Sequence, residues 1–553
     1  MGMELEEKST KKGLLYQASI LAIAGMISRV IGLLYRSPLT AVIGDEGNGY
    51  YTAAYAIYTI ILLISSYSIP SAMSKIISGK LAVKEYRNAH RIFKCALVYV
   101  SIVGGIGSLV LFFGADILAA GRSATVLRFF APTIFVFGFL GVLRGYFQAH
   151  RTMVPTSISQ LIEQILNAIV SISAALILTG VAGNEDPSKR AVYGAIGSAL
   201  GTGSGVVIAL LFMLFVYNIN RKSIHKRVNS DRHEDMTDKE IFKLIILIVT
   251  PFLLSTFIYN LSTSLNYTLF SRILMNVKKV DEASMAAQYG IFNGKAIAIT
   301  NLPIALASAA AAAMIPEVST LFAQGDRKGA GETVSRVLRV ILMISIPCTA
   351  GLFALAKPVM MILFPQRASL GEASMLLMIL SVTVIFYSLS TVTNAVLQGI
   401  GRVNVPVFNA VIALIVQTAV LSLLLLYTDL GDVALCIVTI VYSLLMCILN
   451  NVVMRKYIPV ANDIKKAYVL PAISAAIMGG AAYLIHFLFS LLFGKFMGSE
   501  YFVNLLATII AILVAIFVYF IVLIKSGGAS EEDIRRFPKG GSIASILKKL
   551  RIL

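Results

Sequence analysis

The chain has 553 residues, of which 58% are hydrophobic and only 14% charged, against about 25% charged in a typical soluble domain. With a mean hydropathy of +0.83, it excludes an ordinary water-soluble enzyme and reads as a polytopic, all-α integral membrane protein. The net charge of +19 does not point to nucleic acid, because the basic residues sit in short loops between apolar runs, the pattern of membrane topology.

A helix crosses the hydrocarbon layer with about 20 apolar residues. Runs of that kind fall near 14–36, 50–74, 92–114, 124–147, 156–180, 191–217 and 241–271. Others follow near 285–314, 334–356, 373–398, 405–428, 432–454, 468–494 and 501–524, about fourteen transmembrane helices in all. Lys8, Lys11 and Lys12 precede the first run like a signal n-region. The run is too long for that role and no cleavage site follows, so it is taken as a retained span.

With the N-terminus inside, the inside segments hold about 33 of the 47 Lys and Arg, and the outside loops about 9. Lys80, Lys84, Arg87 and Arg91 follow span two. Arg221, Lys222, Lys226 and Arg227 follow span six, and Arg455, Lys456, Lys465 and Lys466 follow span twelve. Both termini of this multi-pass protein are therefore expected in the cytoplasm.

The two halves repeat. "SAMSKIISGKLAVKEYRNA" at 71–89 aligns with "AAMIPEVSTLFAQGDRKGA" at 312–330, and "LRGYFQAHRTMVP" at 143–155 resembles "AVLQGIGRVNVP" at 395–406. Two matches in the same order predict six-helix lobes of the same sense, related by an axis along the membrane normal. The expected division is an N-lobe over 1–217, a solvated cytoplasmic linker over 218–240 and a C-lobe over 241–455. The last two helices lie in 456–524, and a basic tail over 525–553 ends in a short amphipathic segment suited to anionic lipid. The glycine-rich 194–205 and the alanine run 305–313 read as close helix packing.

No nucleophile elbow, phosphate loop, zinc helix or paired-cysteine motif appears, so no enzyme activity, metal or cofactor is expected. Cys95, Cys348, Cys436 and Cys447 have no metal spacing and read as packing residues. What needs explaining is charge at membrane depth, where a central Arg costs about 2.5–3.5 kcal/mol on insertion scales. Arg29 and Arg36 lie seven residues apart, two turns on nearly one face. Arg29 is expected to face a cavity; Arg36 either faces it too or snorkels to the headgroups. Lys295 is the matching cation of the second half. Glu163, beside Gln160, Gln164 and Asn167, either carries a coupling proton or pairs with a cation such as Arg144. Arg128 and Arg144, near the ends of span four, are expected to snorkel. Cations from both halves and an aliphatic lining suit an anionic lipid substrate.

"SRVIGLLYRSPLTAVIGDEGNGYYTAAYAIYTI", with "GIFNGK", "NLP" and "VLQGIGR" further on, resembles the polysaccharide-flippase branch of the multidrug/oligosaccharidyl-lipid/polysaccharide exporter superfamily. Within it, the likeness is to the stage V sporulation protein B and MurJ-type lipid II flippases of Gram-positive bacteria. The resemblance implies two six-helix lobes in a V, two further C-terminal helices making a lipid groove, and alternating access. The implied cargo is an undecaprenyl-pyrophosphate-linked glycan, first among them the peptidoglycan precursor lipid II, handled beside the cell-wall synthesis machinery. The arginine of the family's "SRV" falls on Arg29. The next basic residue, Arg36, comes one position later than in the family pattern, and Lys295 stands for the span-eight arginine. Alternatives are another lipid-linked polysaccharide unit, or a drug/cation antiporter of the same superfamily; a static scaffold would leave Arg29 unexplained.

Overall fold

The structure, a computed structural model, describes residues 20–528 apart from 22, 68, 151, 184–185, 365, 461–463 and 495–498, and leaves aside the side chains of 67, 250–260, 312, 313 and 316. Lys8, Lys11, Lys12 and the expected amphipathic tail lie outside the described residues. Those described form helices and no strand. The chain separates into two compact units at Gly290–Ile291, inside the eighth apolar run.

The first unit begins with α1 (Ile23–Leu34) and α2 (Arg36–Leu62). A π-helical turn, Leu63–Tyr67, leads to α3 (Ile69–Ala82) and α4 (Tyr86–Phe113). Then come α5 (Ala115–Leu118), α6 (Ser123–Ala149), α7 (Val154–Ala182) and α8 (Pro187–Ser230), followed by α9 (Asp238–Arg272) and α10 (Glu282–Tyr289). Local chemistry sets the ends. Asp186 caps α8, Thr237 and Glu240 form a capping box on α9, and Asp281 caps α10, each accepting from orphan backbone N–H groups of the first turn. Gly44 interrupts α2 with φ +70°, a conformation that costs a side-chain-bearing residue. The "GDEGNGYY" stretch is thus a kink rather than a loop. Beyond it a Cβ on Gly49 would lie 1.8 Å from the Ala286 carbonyl oxygen, and Asn48 Nδ2 donates to Gly290 O at 3.1 Å. This motif therefore serves the close seating of α10 on α2.

The core of the unit is a buried cluster from α3, α4, α6, α8 and α9, with Ile69, Met73, Ile92, Leu140, Val206 and Ile241 all inaccessible. In the glycine-rich stretch, Gly197, Gly201 and Gly205 each bring α8 within 3 Å of the α7 backbone at the position a Cβ would take, as the packing reading expects. The linker departs from expectation. With no Gly or Pro between Val206 and Ser230, α8 runs 44 residues, through the first half of the predicted linker. The rest is largely exposed, as a solvated linker should be, but it is also tied to α4. Asp231 accepts from Arg87 N at 2.7 Å, Asn88 Nδ2 donates to Glu234 O at 2.9 Å, and Arg91 pairs with Asp238 at 2.7 Å. Burial pushes the Asp231 carboxyl up, but hydrogen bonds from Arg87 N, His233 N and the His233 ring outweigh it and hold it down at about 2.

The second unit continues from the π-helical segment Gly290–Ala296. Its helices are α11 (Ile297–Ala323), α12 (Arg327–Ala354), α13 (Ala356–Leu363), α14 (Leu370–Leu380), α15 (Thr383–Gly399), α16 (Asn404–Tyr427), α17 (Asp432–Tyr457), α18 (Leu470–Phe493) and α19 (Glu500–Lys525). The last of them is fastened to the unit by Tyr519 Oη donating to Met343 O and Asn504 Nδ2 to Pro358 O, both at 3.0 Å.

The repeat is visible in the element ends. α3 stops at Ala82, α4 spans Tyr86–Phe113 and α5 starts at Ala115. α11 stops at Ala323, α12 spans Arg327–Ala354 and α13 starts at Ala356, all shifted by the same 241 residues as the sequence match. Among the described residues eleven helices are long and apolar enough to cross a membrane, or twelve if α14 and α15, bent by 43°, count as one span. The count is lower than fourteen because Ile23–Leu34 is short as described and the 241–271 run passes through side chains left aside.

Candidate functional site

Helical hydrogen bonds run on from α1 through Tyr35, whose N–H donates to Ile31 O and whose carbonyl accepts from Leu39 N. Arg29 and Arg36 thus keep their two-turn spacing. Arg29 is exposed and Arg36 half-buried. Among the described residues Arg29 makes no ion pair, and its exposed neighbours on α1 are Ile27 and Val30. The other face of α1 lies on α7: a Cβ on Gly32 would be 3.6 Å from Gln164 Oε1, and Tyr35 packs with Ala168, Ile172 and Ala175.

Arg36 interacts electrostatically with Tyr51. From Tyr51 a polar chain leads inward: its hydroxyl meets Thr202 Oγ1 at 3.3 Å, Thr202 donates to Asn167 Oδ1 at 3.4 Å, and Ser171 donates to the same oxygen at 2.9 Å. Tyr51, Tyr55 and Tyr58 line up against Phe130. Sequence reasoning missed this row; Tyr at 51, 55 and 58 is helical spacing, the one signal that could have shown it.

Glu163 and Arg144 do come together. Arg144 Nη2 is 2.7 Å from Glu163 Oε2, and Arg144 Nε donates to Ser159 Oγ at 2.8 Å. Their side chains are 7% and 18% exposed. The snorkelling expected of Arg144 is thus wrong. Its partners on α7 satisfy it inside the protein, which a single helix read alone does not reveal. Arg128, by contrast, reaches an exposed pairing with Asp116.

In the second unit Lys295 is 1% exposed. Its ammonium donates to Ser369 Oγ at 2.8 Å and lies 5.7 Å from the centre of the Phe364 ring, within cation–π range. Gln366, on the same connection, buries both side-chain polar atoms without a partner among the described residues. Three residues past Ser369, Glu372 lies close enough to Asp432 to interact with it electrostatically, an acid pair that no periodicity signalled. No group of three metal-ligating side chains occurs among the described residues.

An all-helical bundle with apolar spans and a buried cation in each compact unit is built as a membrane transporter. A family model described as polysaccharide biosynthesis protein matches residues 14–322, and the chain belongs to that family; a second, MatE, matches 261–424. Together they place it among the flippases of the multidrug/oligosaccharidyl-lipid/polysaccharide exporter superfamily. Stage V sporulation protein B of Bacillus subtilis (strain 168) is 24% identical over 525 residues, 94% of this chain and 96% of that one. The lipid II flippase MurJ of the same organism is 24% identical over 415 residues, 72% of this chain and 75% of its own. Among solved structures, a lipid II flippase MurJ in an inward closed conformation superposes with a TM-score of 0.64 at 17% identity, covering 91% of this chain and 97% of that one. An inward-facing multidrug resistance transporter superposes with 0.58 at 16% identity, covering 78% and 97%. The family and fold are those of multi-pass transporters rather than catalysts.

Proposed function

We propose that this chain moves an undecaprenyl-pyrophosphate-linked glycan, in the first place lipid II, from the inner to the outer leaflet of the bacterial plasma membrane by alternating access. The six-helix halves are its moving parts and both termini are cytoplasmic. One observation carries the choice of an anionic cargo. Glu163, an acid within a span of the first unit, is committed to Arg144, while Arg29 stays exposed on an apolar helix and makes no ion pair among the described residues. The cation on α1 is thus not answered by that acid. An arginine exposed to lipid would be costly, so we assign Arg29 to a water-filled substrate path. Arg29, Arg36 and Lys295 are the cations we assign to the pyrophosphate. The similarity to the lipid II flippase MurJ supports a lipid-linked glycan as the cargo class, and the similarity to stage V sporulation protein B supports a setting in sporulation.

A second reading, an antiporter for cationic drugs, draws its support from the Glu372–Asp432 pair. One assay separates them. Purified protein in vesicles is given fluorescent undecaprenyl-pyrophosphate sugar on one side, and outer-leaflet arrival is followed by enzymatic capture. Wild type should accelerate arrival. Arg29→Gln should abolish the acceleration with unchanged yield and thermal stability, and Arg36→Gln should weaken it. Full transport by Arg29→Gln rejects the assignment of Arg29; no transport by wild type, with efflux of a cationic dye instead, favours the antiporter.

A further inference from the structure

A cavity of ≈ 250 Å³ opens in the first unit where α8 passes the ends of α3, α4 and α6. It lies apart from Arg29 and from the ion pair Arg144–Glu163, and nothing above uses it. The volume is that of roughly eight waters, the scale of a glycerophosphate group. Its polar wall includes His150, Thr152, Asn220, Ser223 and Arg227, with Tyr86 and Tyr146 beside them, and among the described residues no carboxylate lines it. Leu81, Phe147 and Ile224 supply apolar wall.

Its depth can be read from α8. Leu211, Phe215 and Ile219 are exposed, the last at 64%, and the residues that follow are Asn220, Arg221, Lys222 and Ser223. The lipid-facing surface of α8 therefore ends at Ile219, and the cavity begins with the next residue. Ser223 is about 6 Å and Arg227 about 12 Å further along the axis. A helical side chain leans toward the N-terminus of its helix, which for Arg227 is back toward the apolar boundary. The guanidinium is thereby aimed at the headgroup layer, some 5–8 Å thick on each side of the hydrocarbon. Arg227 has no carboxylate partner among the described residues, and Lys226, Arg221 and Lys222 add to the positive field.

The remaining groups discriminate between headgroups. Burial holds the His150 ring below its ordinary pKa, so it is neutral. Its Nδ1 donates to Tyr146 O at 2.9 Å, which leaves Nε2 as an acceptor. Thr152 donates its hydroxyl proton to Phe147 O, and Asn220 Nδ2 donates to Val216 O, so their oxygens also remain acceptors. One fixed positive charge beside several acceptors matches a phosphodiester monoanion bearing hydroxyl donors. A headgroup carrying its own ammonium would meet the repulsion of four basic residues.

We propose that this cavity is a binding site for the headgroup of an anionic glycerophosphodiester lipid, with Arg227 taking the phosphate and His150, Thr152 and Asn220 the headgroup hydroxyls. Half-apolar walls at the hydrocarbon boundary favour the membrane lipid over a soluble phosphodiester. The site does not depend on which glycan the protein carries.

The test is native mass spectrometry of the full chain, delipidated and titrated with phosphatidylglycerol, phosphatidylcholine or soluble glycerophosphoglycerol. Phosphatidylglycerol should bind with at least one saturable site, and phosphatidylcholine about tenfold more weakly, as the loss of a charged hydrogen-bonding match implies. Arg227→Gln should remove that preference, as should Ser223→Trp, which fills the cavity from an exposed position without disturbing buried contacts. Arg221→Gln, on the same basic stretch but outside the cavity wall, removes only part of the surrounding field and should leave most of the preference in place. Equal loss in Arg221→Gln means diffuse surface charge and overturns the site. Unchanged preference in both Arg227→Gln and Ser223→Trp overturns it as well. Glycerophosphoglycerol binding as tightly as the whole lipid overturns the assignment to a membrane lipid.

Discussion

Glu163→Gln removes the carboxylate that Arg144 faces at 2.7 Å while keeping shape and volume. At an effective dielectric near 20, the direct attraction at that separation is about 6 kcal/mol before desolvation is counted. Most of it is offset by taking both groups out of water. Stranding one partner of a buried pair costs about 3–5 kcal/mol, whereas replacing both by apolar groups is often neutral. Glu163 is the more exposed partner at 18%, and the Ser159 hydrogen bond survives, so the lower end, about 3 kcal/mol, is expected. Arg144→Met should cost less, since the carboxylate it leaves can take up a proton or reach water. The double change Arg144→Met/Glu163→Leu should recover to within about 1 kcal/mol of wild type. The assay is thermal unfolding of purified protein in one detergent, run as a double-mutant cycle at pH 7. A Glu163→Gln protein within about 0.5 kcal/mol of wild type would falsify the structural role of the pair, because surface changes lie in that range. Transport measured on the stable double variant then asks about coupling: retained activity removes Glu163 from any proton pathway.

Gly49→Ala should destabilise the first unit by about 1–3 kcal/mol through overpacking against Ala286. Gly79→Ala, whose Cβ would meet nothing within 4 Å, should be neutral or stabilising; equal melting temperatures for the two would contradict the seating of α10 on α2. Lys295→Met should fold as well as wild type, since a buried cation is exchanged for an apolar chain of similar length, yet fail in glycan flipping, and wild-type flipping would take Lys295 out of the site. The lowered Asp231 carboxyl stabilises linker docking fully above about pH 4, and that contribution is lost as pH falls toward about 2. A fluorophore at Glu234→Cys should accordingly report no docking change from this group between pH 5 and 8. Asp231→Asn should loosen the segment at neutral pH, and a signal matching wild type would show that Asp231 does not hold it. A cysteine at Ser230 should react with impermeant reagent only from the cytoplasmic side of intact cells, and labelling from outside would reverse the topology.

How much of the molecule is legible in the chain follows from the range of each interaction. Span positions, the inside-positive asymmetry and the 241-residue repeat are one-dimensional. They depend on apolar length, on loop charge and on matching residues, so the sequence alone carries them, and the repeat reappears in the ends of α4 and α12. Arg29 is legible for the same reason, because a charge in an apolar run is conspicuous whatever surrounds it. Contacts between distant segments are not. In sequence Arg144 reads as a residue reaching for headgroups; in the fold α7 brings Ser159 and Glu163 beside it. Lys295 reads as isolated, yet Ser369 and Phe364 arrive from 69–74 residues away. The 231–238 segment reads as solvated and is largely exposed, but its ties to Arg87, Asn88 and Arg91 are not legible, because those residues sit on α4, far away in the chain. The break between compact units at Gly290 rather than at the polar linker has the same origin. The Gly49–Ala286 approach holds α10 against α2, and nothing local to residues 282–290 encodes that. Apolar periodicity and net charge decide what enters the membrane; which buried charges find partners is decided only when the helices pack, because a hydrogen bond requires two particular atoms to meet.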